Sequence, residues 1–128
     1  TLPEHGVDYI HFGSLGGRRN PAKNSPNGAW ENAQFQGYAD HMRCEEFAAG
    51  LRTLEKEALR RRTAVMCAEA QWWRCHRRMI SDALHARGNE VLHLIKPGDR
   101  NAHKPVEEMR VGEDGWPVYD LGPMTLLS

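Results

Sequence analysis

Hydrophobic and polar positions along the chain alternate with two different periods, and the period predicts the elements. Over 31–60 apolar residues recur at helical spacing. Phe35, Tyr38 and Met42 could line one face of a first helix. Phe47, Leu51, Leu54 and Ala58 then follow i, i+4, i+7, i+11, an amphipathic stripe with Leu59 at its edge. Glu45 and Glu46 stand where the second helix would begin, and "EALRRR" closes it with arginines. Both charge placements suit the helix dipole. Cys75 to Arg87 reads as a third helix, with Cys75, Met79, Ala83 and either Ile80 or Leu84 facing the core and Gly88 as its stop.

The other stretches read as extended. "GVDYIHF" (6–12) alternates imperfectly and predicts a short strand. "TAVMCA" (63–68) and "EVLHLI" (90–95) are short continuous apolar runs, the pattern of strands buried on both faces. Strand, helix and strand at this spacing predict a βαβ unit, with 63–68 and 90–95 parallel and joined by a right-handed crossover. The expected fold is therefore α/β, a three-layer sandwich with a small, mainly parallel sheet flanked by helices. The intervening 13–30 is rich in Gly, Pro, Asn and Ser and must be a loop, long enough to suggest a functional role. The tail 96–128 is expected to be mostly loop, with a short helical turn near 105–110 and an extended "WPVYDL".

Composition narrows the class. A chain of 128 residues, 40% apolar and 27% charged, fits one soluble globular domain over 1–128. Formal net charge is zero, so there is no global pull toward nucleic acid, and any such role needs a local basic patch. No apolar run approaches the roughly 18–20 residues that span a bilayer, so no membrane partner is expected. The start carries no basic segment followed by an apolar core. Three cysteines, Cys44, Cys67 and Cys75, are an odd count that argues for reduced thiols and a cytoplasmic location rather than a disulfide framework.

The densest chemistry is "CAEAQWWRCHRRM", residues 67–79. In an open α/β sheet ligands bind beyond the carboxyl ends of the strands, and this stretch is expected to be a strand end, a loop and a helix start. A helix N-terminus prefers acids, yet this one carries Arg74, His76, Arg77 and Arg78. A bound anion would offset the misfit, since free backbone N–H groups and guanidinium forks suit phosphate or carboxylate. Internal pairing with Glu69, or solvation of the arginines, would do the same without a ligand. Cys75 could be a nucleophile, with His76 or Glu69 as base, or simply a small buried hydrophobe. Cys67, Cys75 and His76, with His93 or His103, could instead assemble metal ligands, although the spacing is not that of a structural zinc site. A Cys-x5-Arg phosphatase loop fails on count, because Arg74 is one residue too far from Cys67. "GGRR" (16–19) is a weak phosphate signal: Gly16 and Gly17 permit close backbone approach, while Arg18 and Arg19 supply charge. If this loop folds over 69–77, the two basic clusters share one site. Otherwise it is an exposed loop.

"CAEAQWWRCHRRMISDALHARGNEVLHL" resembles the signature of the family called domain of unknown function 488. Cys67, Ala68, Glu69, Cys75, His76, Arg77, Gly88, Val91 and His93 fall in register with it. "DYIHFGSLGG" and "FQGYADHM" are similar to two further family segments, and His103 and "PVYD" to its closing elements. The resemblance implies an α/β fold and a polar pocket around Glu69, Cys75, His76 and Arg77, but no activity. The family's usual upstream strands, carrying T-I-G-H-S and D-V-R, are not in this sequence. Their loss would expose a sheet edge, which could favour a homodimer. The expected function is then a pocket for an anionic small molecule or nucleotide, or a nucleic-acid end, with no cofactor. Arg77, Arg18, Gly16 and Gly17 would bind the anion with His76, and Glu69, Cys75 and His76 are the candidates for catalysis. The alternative is a non-enzymatic interaction or regulatory module in which the C-A-E and C-H-R residues (67–69 and 75–77) form a buried network that locks strand to helix. A metal or redox site is third.

Overall fold

The computed structural model describes residues 3–17, 19–30, 32–67, 76–98, 100–105, 107 and 109–120. Helix α1 spans Ala33–His41, α2 Glu45–Arg60 and α3 Arg77–Ala86. Four two-residue strands follow: β1 Leu92–His93, β2 Asn101–Ala102, β3 Arg110–Val111 and β4 Pro117–Val118. Two 3-10 turns, Pro3–His5 and Gly13–Leu15, precede the helices.

The helices form where the apolar period predicts them. Asn32 caps α1 by accepting from Gln34 N at 2.9 Å and Phe35 N at 3.2 Å, which satisfies two of the four orphan donors of that end. Phe47, Leu51 and Leu54 of α2 are buried, whereas Ala58 and Leu59 beyond them are exposed. The stripe therefore works for its first three positions, and the last turn of α2 runs past the core. In α3 Met79, Ile80 and Ala83 are buried, and Gly88 leaves the helix with φ 90°, where a Cβ would be strained. Tyr38, Met42, Phe47, Leu51, Met79 and Tyr119 are the centre of one cluster, against which Phe12, Trp30 and Trp116 pack. Glu55 ties α2 to the end of α3 by accepting from Arg87 Nε at 2.9 Å and Asn89 Nδ2 at 2.8 Å.

Among the described residues the expected parallel sheet is not there. They form two separate two-stranded sheets, β1–β2 and β3–β4, and both are antiparallel. The chain is only loosely α/β, and the three-layer sandwich is set aside. Among the described residues of 63–68 there is no strand, and the stretch 6–12 is not one either. Val65 and Met66 are exposed, as are Tyr9 and Ile10. The run 90–95 contributes only β1, which pairs with residues that follow it and not with 63–67. Gly98, with φ 91°, lies in the turn that reverses the chain. The physical reason is strand pairing. An apolar run becomes a strand only with a neighbour to take its N–H and C=O groups, and β1 finds its neighbour locally, across a short loop of low closure cost. The helical turn expected near 105–110 is absent among its described residues, and "WPVYDL" contributes β4, paired with β3.

Loop 13–30 is anchored rather than loose. Asp40 of α1 accepts from Ala22 N at 2.8 Å, Ser25 Oγ at 2.6 Å and Asn27 Nδ2 at 2.8 Å. The fully buried Asn27 in turn accepts from Tyr119 N at 2.9 Å, so one carboxylate holds the loop and, through Asn27, the end of β4. No helix among the described residues is long and apolar enough to cross a membrane.

Candidate functional site

The start of α3 meets the glycine loop. A Cβ on Gly17 would sit 2.8 Å from His76 Nδ1, closer than real Cβ atoms approach, so only glycine lets this backbone rest on the imidazole. The other neighbour of the His76 ring is Tyr38 of α1, with centroids 5.2 Å apart. Tyr38 OH donates to Leu15 O at 2.7 Å, which fixes the loop from below. Arg19 folds back and donates to Gly16 O at 3.4 Å and Gly13 O at 3.2 Å, so its guanidinium serves the loop itself. The tertiary structure thus brings Gly16, Gly17, His76 and Arg77 into one neighbourhood. Glu69, Cys75 and Arg18 lie outside the described residues, as do Arg74 and both tryptophans of 72–73.

The electrostatics of this neighbourhood are cationic. The first turn of α3 contains no acid, and His76 at its N-cap makes no side-chain capping bond. His76 is held below its ordinary pKa by burial and then by the charge of Arg77. The same Arg77 charge also helps to lower His93 in β1. Arg78, next along the helix, lies over the Trp30 ring at 5.5 Å, a cation–π contact that accounts for one of the misplaced arginines without any ligand.

One turn further along, α3 carries a second polar group that periodicity alone did not single out. Asp82 is fully buried on the apolar face. Its carboxylate accepts from His103 Nε2 at 2.6 Å and from Tyr119 OH at 2.7 Å. His103 Nδ1 then meets His93 Nε2 at 2.8 Å. Asp82 can only accept, so His103 must carry a proton on Nε2. With His103 neutral, its Nδ1 accepts from His93 Nε2–H, and the chain reads His93 to His103 to Asp82, with Tyr119 closing the other carboxylate oxygen. The group joins α3, β1 and the residues that directly follow β2 and β4. Tyr119 is held well above its ordinary pKa by burial and then by the Asp82 charge and hydrogen bond. His93 is lowered to about 4, by burial first and then by His103 and Arg77. His93 and His103 are metal candidates from the sequence; here they bond to each other, and His103 bonds to Asp82. The signal for this group was a charged residue within the helical apolar stripe, since a buried Asp requires partners.

The lowered His93 makes stability depend on pH. In the unfolded chain a histidine protonates near 6.5, whereas in the folded protein this one resists protonation until about 4. The folded state therefore binds fewer protons in that window, and stability is lost as pH falls from about 6.5 toward 4. Urea denaturation at intervals across the window should show a fall of about 1–2 kcal/mol, less than the full linkage because of solvent screening. His93→Gln should flatten the profile. An unchanged slope in that variant would remove His93 as its cause.

Comparison with known proteins adds one relation. No curated protein and no solved structure matches the chain at a significant level. A family model does match: residues 1–84, about two thirds of the chain, fit the domain of unknown function DUF488. The match takes in the glycine loop, all of α1 and α2, and α3 as far as Leu84, and on that ground the chain belongs to the DUF488 family.

Proposed function

We propose that the start of α3 and the 13–19 loop form a binding site for an anionic ligand, a phosphorylated small molecule, a nucleotide or a nucleic-acid end. The observation that carries this reading is the seating of half-buried glycine backbone on His76, at a helix start that carries cations and no acid. Burial and then the Arg77 charge lower His76, no acid stands in the first turn of α3, and glycine backbone packs directly on His76. Cations at the positive end of a helix, beside free backbone N–H groups, suit a bound anion. In this reading Arg77 and His76 bind the anion, with Arg18, Gly16 and Gly17 contributing from the loop. Glu69 orients an arginine or acts as general base, and Cys75 is the candidate nucleophile if the site is catalytic.

The reading links ligand to proton. A bound phosphate favours the charged form of His76, so affinity should rise as pH falls through the histidine range. Isothermal titration with inorganic phosphate, AMP and a 5′-phosphorylated oligonucleotide tests it. Arg77→Ala should weaken binding more than tenfold, about 1.4 kcal/mol or more, with circular dichroism unchanged. Failure of the wild-type protein to bind any of the three ends the proposal.

A second reading, a non-enzymatic interaction or regulatory module, draws support from the buried Asp82–His103–Tyr119 group. There the C-A-E and C-H-R residues (67–69 and 75–77) serve as a buried structural network, as Asp82 does further along α3. It predicts that Arg77→Ala changes stability and leaves no binding to lose.

A further inference from the structure

The turn between α1 and α2 holds a second cluster of chemically active side chains. His41 ends α1, Cys44 is the N-cap of α2, and Glu46 is in the first turn of α2. One ligand atom from each of the three lies within 4.8 Å of the other two. Cys44 Sγ is 3.4 Å from His41 Nδ1.

The histidine is set as a metal ligand is set. His41 Nε2 contacts Ser14 O at 2.6 Å. A carbonyl oxygen can only accept, so Nε2 carries the proton and, in the neutral ring, Nδ1 presents its lone pair toward Cys44. Metal-binding histidines characteristically donate their other ring N–H to a carbonyl or carboxylate, which fixes tautomer and orientation. Ser14 is itself held in place. A Cβ on Gly50 would overlap Ser14 Oγ, so α2 presses closely on this turn, and the next carbonyl, of Leu15, is held by Tyr38. Phe47 and Tyr38 flank the His41 ring, with centroids 5.8 and 5.9 Å away. The ring cannot swing away without breaking these contacts.

The separations suit a tetrahedral zinc ion. Zinc–sulfur bonds of about 2.3 Å and zinc–nitrogen bonds of about 2.0 Å put sulfur and nitrogen about 3.5 Å apart at the tetrahedral angle. The observed 3.4 Å is already that spacing. The Glu46 carboxylate lies within 4.8 Å of both, on an exposed side chain whose rotamer can adjust. The nearby charges leave Glu46 to this role: Arg52 pairs with Glu45 at 2.5 Å, and Arg43 turns to Asp114 at 3.4 Å. Among the described residues Glu46 has no ion pair, and Cys44 makes no bond as a helix cap.

We infer that His41 Nδ1, Cys44 Sγ and Glu46 bind a zinc-class divalent cation, with the fourth position open to water. On binding, Cys44 Sγ–H gives its proton to solvent, the thiolate and the imidazole lone pair each form one bond to the metal, and no oxidation state changes. Three protein ligands and one exchangeable position are the arrangement of reactive rather than purely structural zinc sites. The proposal does not depend on anion binding at α3.

Titration of the reduced, full-length protein with cobalt(II) chloride, followed by zinc chloride, tests the assignment. One equivalent of cobalt should produce a near-ultraviolet sulfur-to-metal charge-transfer band, and one equivalent of zinc should abolish it. Cys44→Ser should remove the band while Cys67→Ser retains it, and Glu46→Gln should weaken zinc binding about tenfold or more. Both Cys44 and Glu46 are exposed, so circular dichroism should not change in either variant. A band that survives Cys44→Ser, zinc affinity unaltered by Glu46→Gln, or no binding by the wild type at micromolar metal overturns the site.

Discussion

Asp82→Asn should destabilise the protein by about 3 kcal/mol, with a fall in Tm of roughly 10 °C. The residue is nearly isosteric, so volume plays little part. What changes is the hydrogen-bond inventory. The carboxylate accepts from two donors, His103 Nε2 and Tyr119 OH, in a site with no accessible surface. An amide offers one oxygen and one NH2 group. Whichever way it turns, an N–H faces one of the two former donors, and that partner is left unsatisfied or must change its own protonation. Leaving a buried polar group unpaired costs about 1–3 kcal/mol, and loss of the charge-assisted bond to His103 adds to it. The consequence should reach His93, because His103 is then free to flip its tautomer. Chemical denaturation gives the magnitude, and a double-mutant cycle with Tyr119→Phe gives the coupling, expected at about 1 kcal/mol or more. A loss below 1 kcal/mol in Asp82→Asn would mean that water already reaches the carboxylate.

Gly37→Ala is the second large effect, and two terms of opposite sign decide it. In an exposed helix interior the exchange would stabilise by about 1 kcal/mol, since glycine is a poor helix former. Here the added Cβ would overlap the Arg19 carbonyl and come within 2.6 Å of the Asn20 carbonyl carbon. Those atoms are backbone, so no side chain can rotate out of the way. Helix and loop would have to separate, which strains the three bonds that Asp40 makes to 22–27 and the Tyr38 bond to Leu15. Overpacking of this kind costs about 1–3 kcal/mol and sometimes more. A net loss of about 2–3 kcal/mol is expected, accompanied by faster amide exchange over 19–27. Unchanged or increased stability would show that the loop moves away from α1 at little cost.

These two sites mark the limit of what could be read in advance. The helices were legible because their signals are local: the stripe Phe47, Leu51, Leu54, the acidic start of α2 and the Gly88 stop each depend on residues within a turn or two. The parallel sheet was misread for the opposite reason. An apolar run such as 63–67 states that it could be a strand but not what will pair with it, and β1 paired with its own sequence neighbour. The candidate anion site was partly legible. Glycines and cations announce themselves in sequence, but that Gly17 rests on His76 follows from packing between segments some sixty residues apart. Asp82 was not singled out: a charge in an apolar stripe carries no indication that His103 and Tyr119 will satisfy it.

The sequence by itself determined the three helices, the glycine-rich loop, the location of the cationic stretch and the family, since each rests on short-range pattern or motif. Only the tertiary structure decided the antiparallel hairpins, the Asp82–His103–His93 chain, the seating of Gly17 on His76 and the His41–Cys44–Glu46 cluster. Hydrophobic periodicity specifies which face is buried. Hydrogen-bond partners and ligand sets require direction and distance between segments, and those exist only once the core has brought them together.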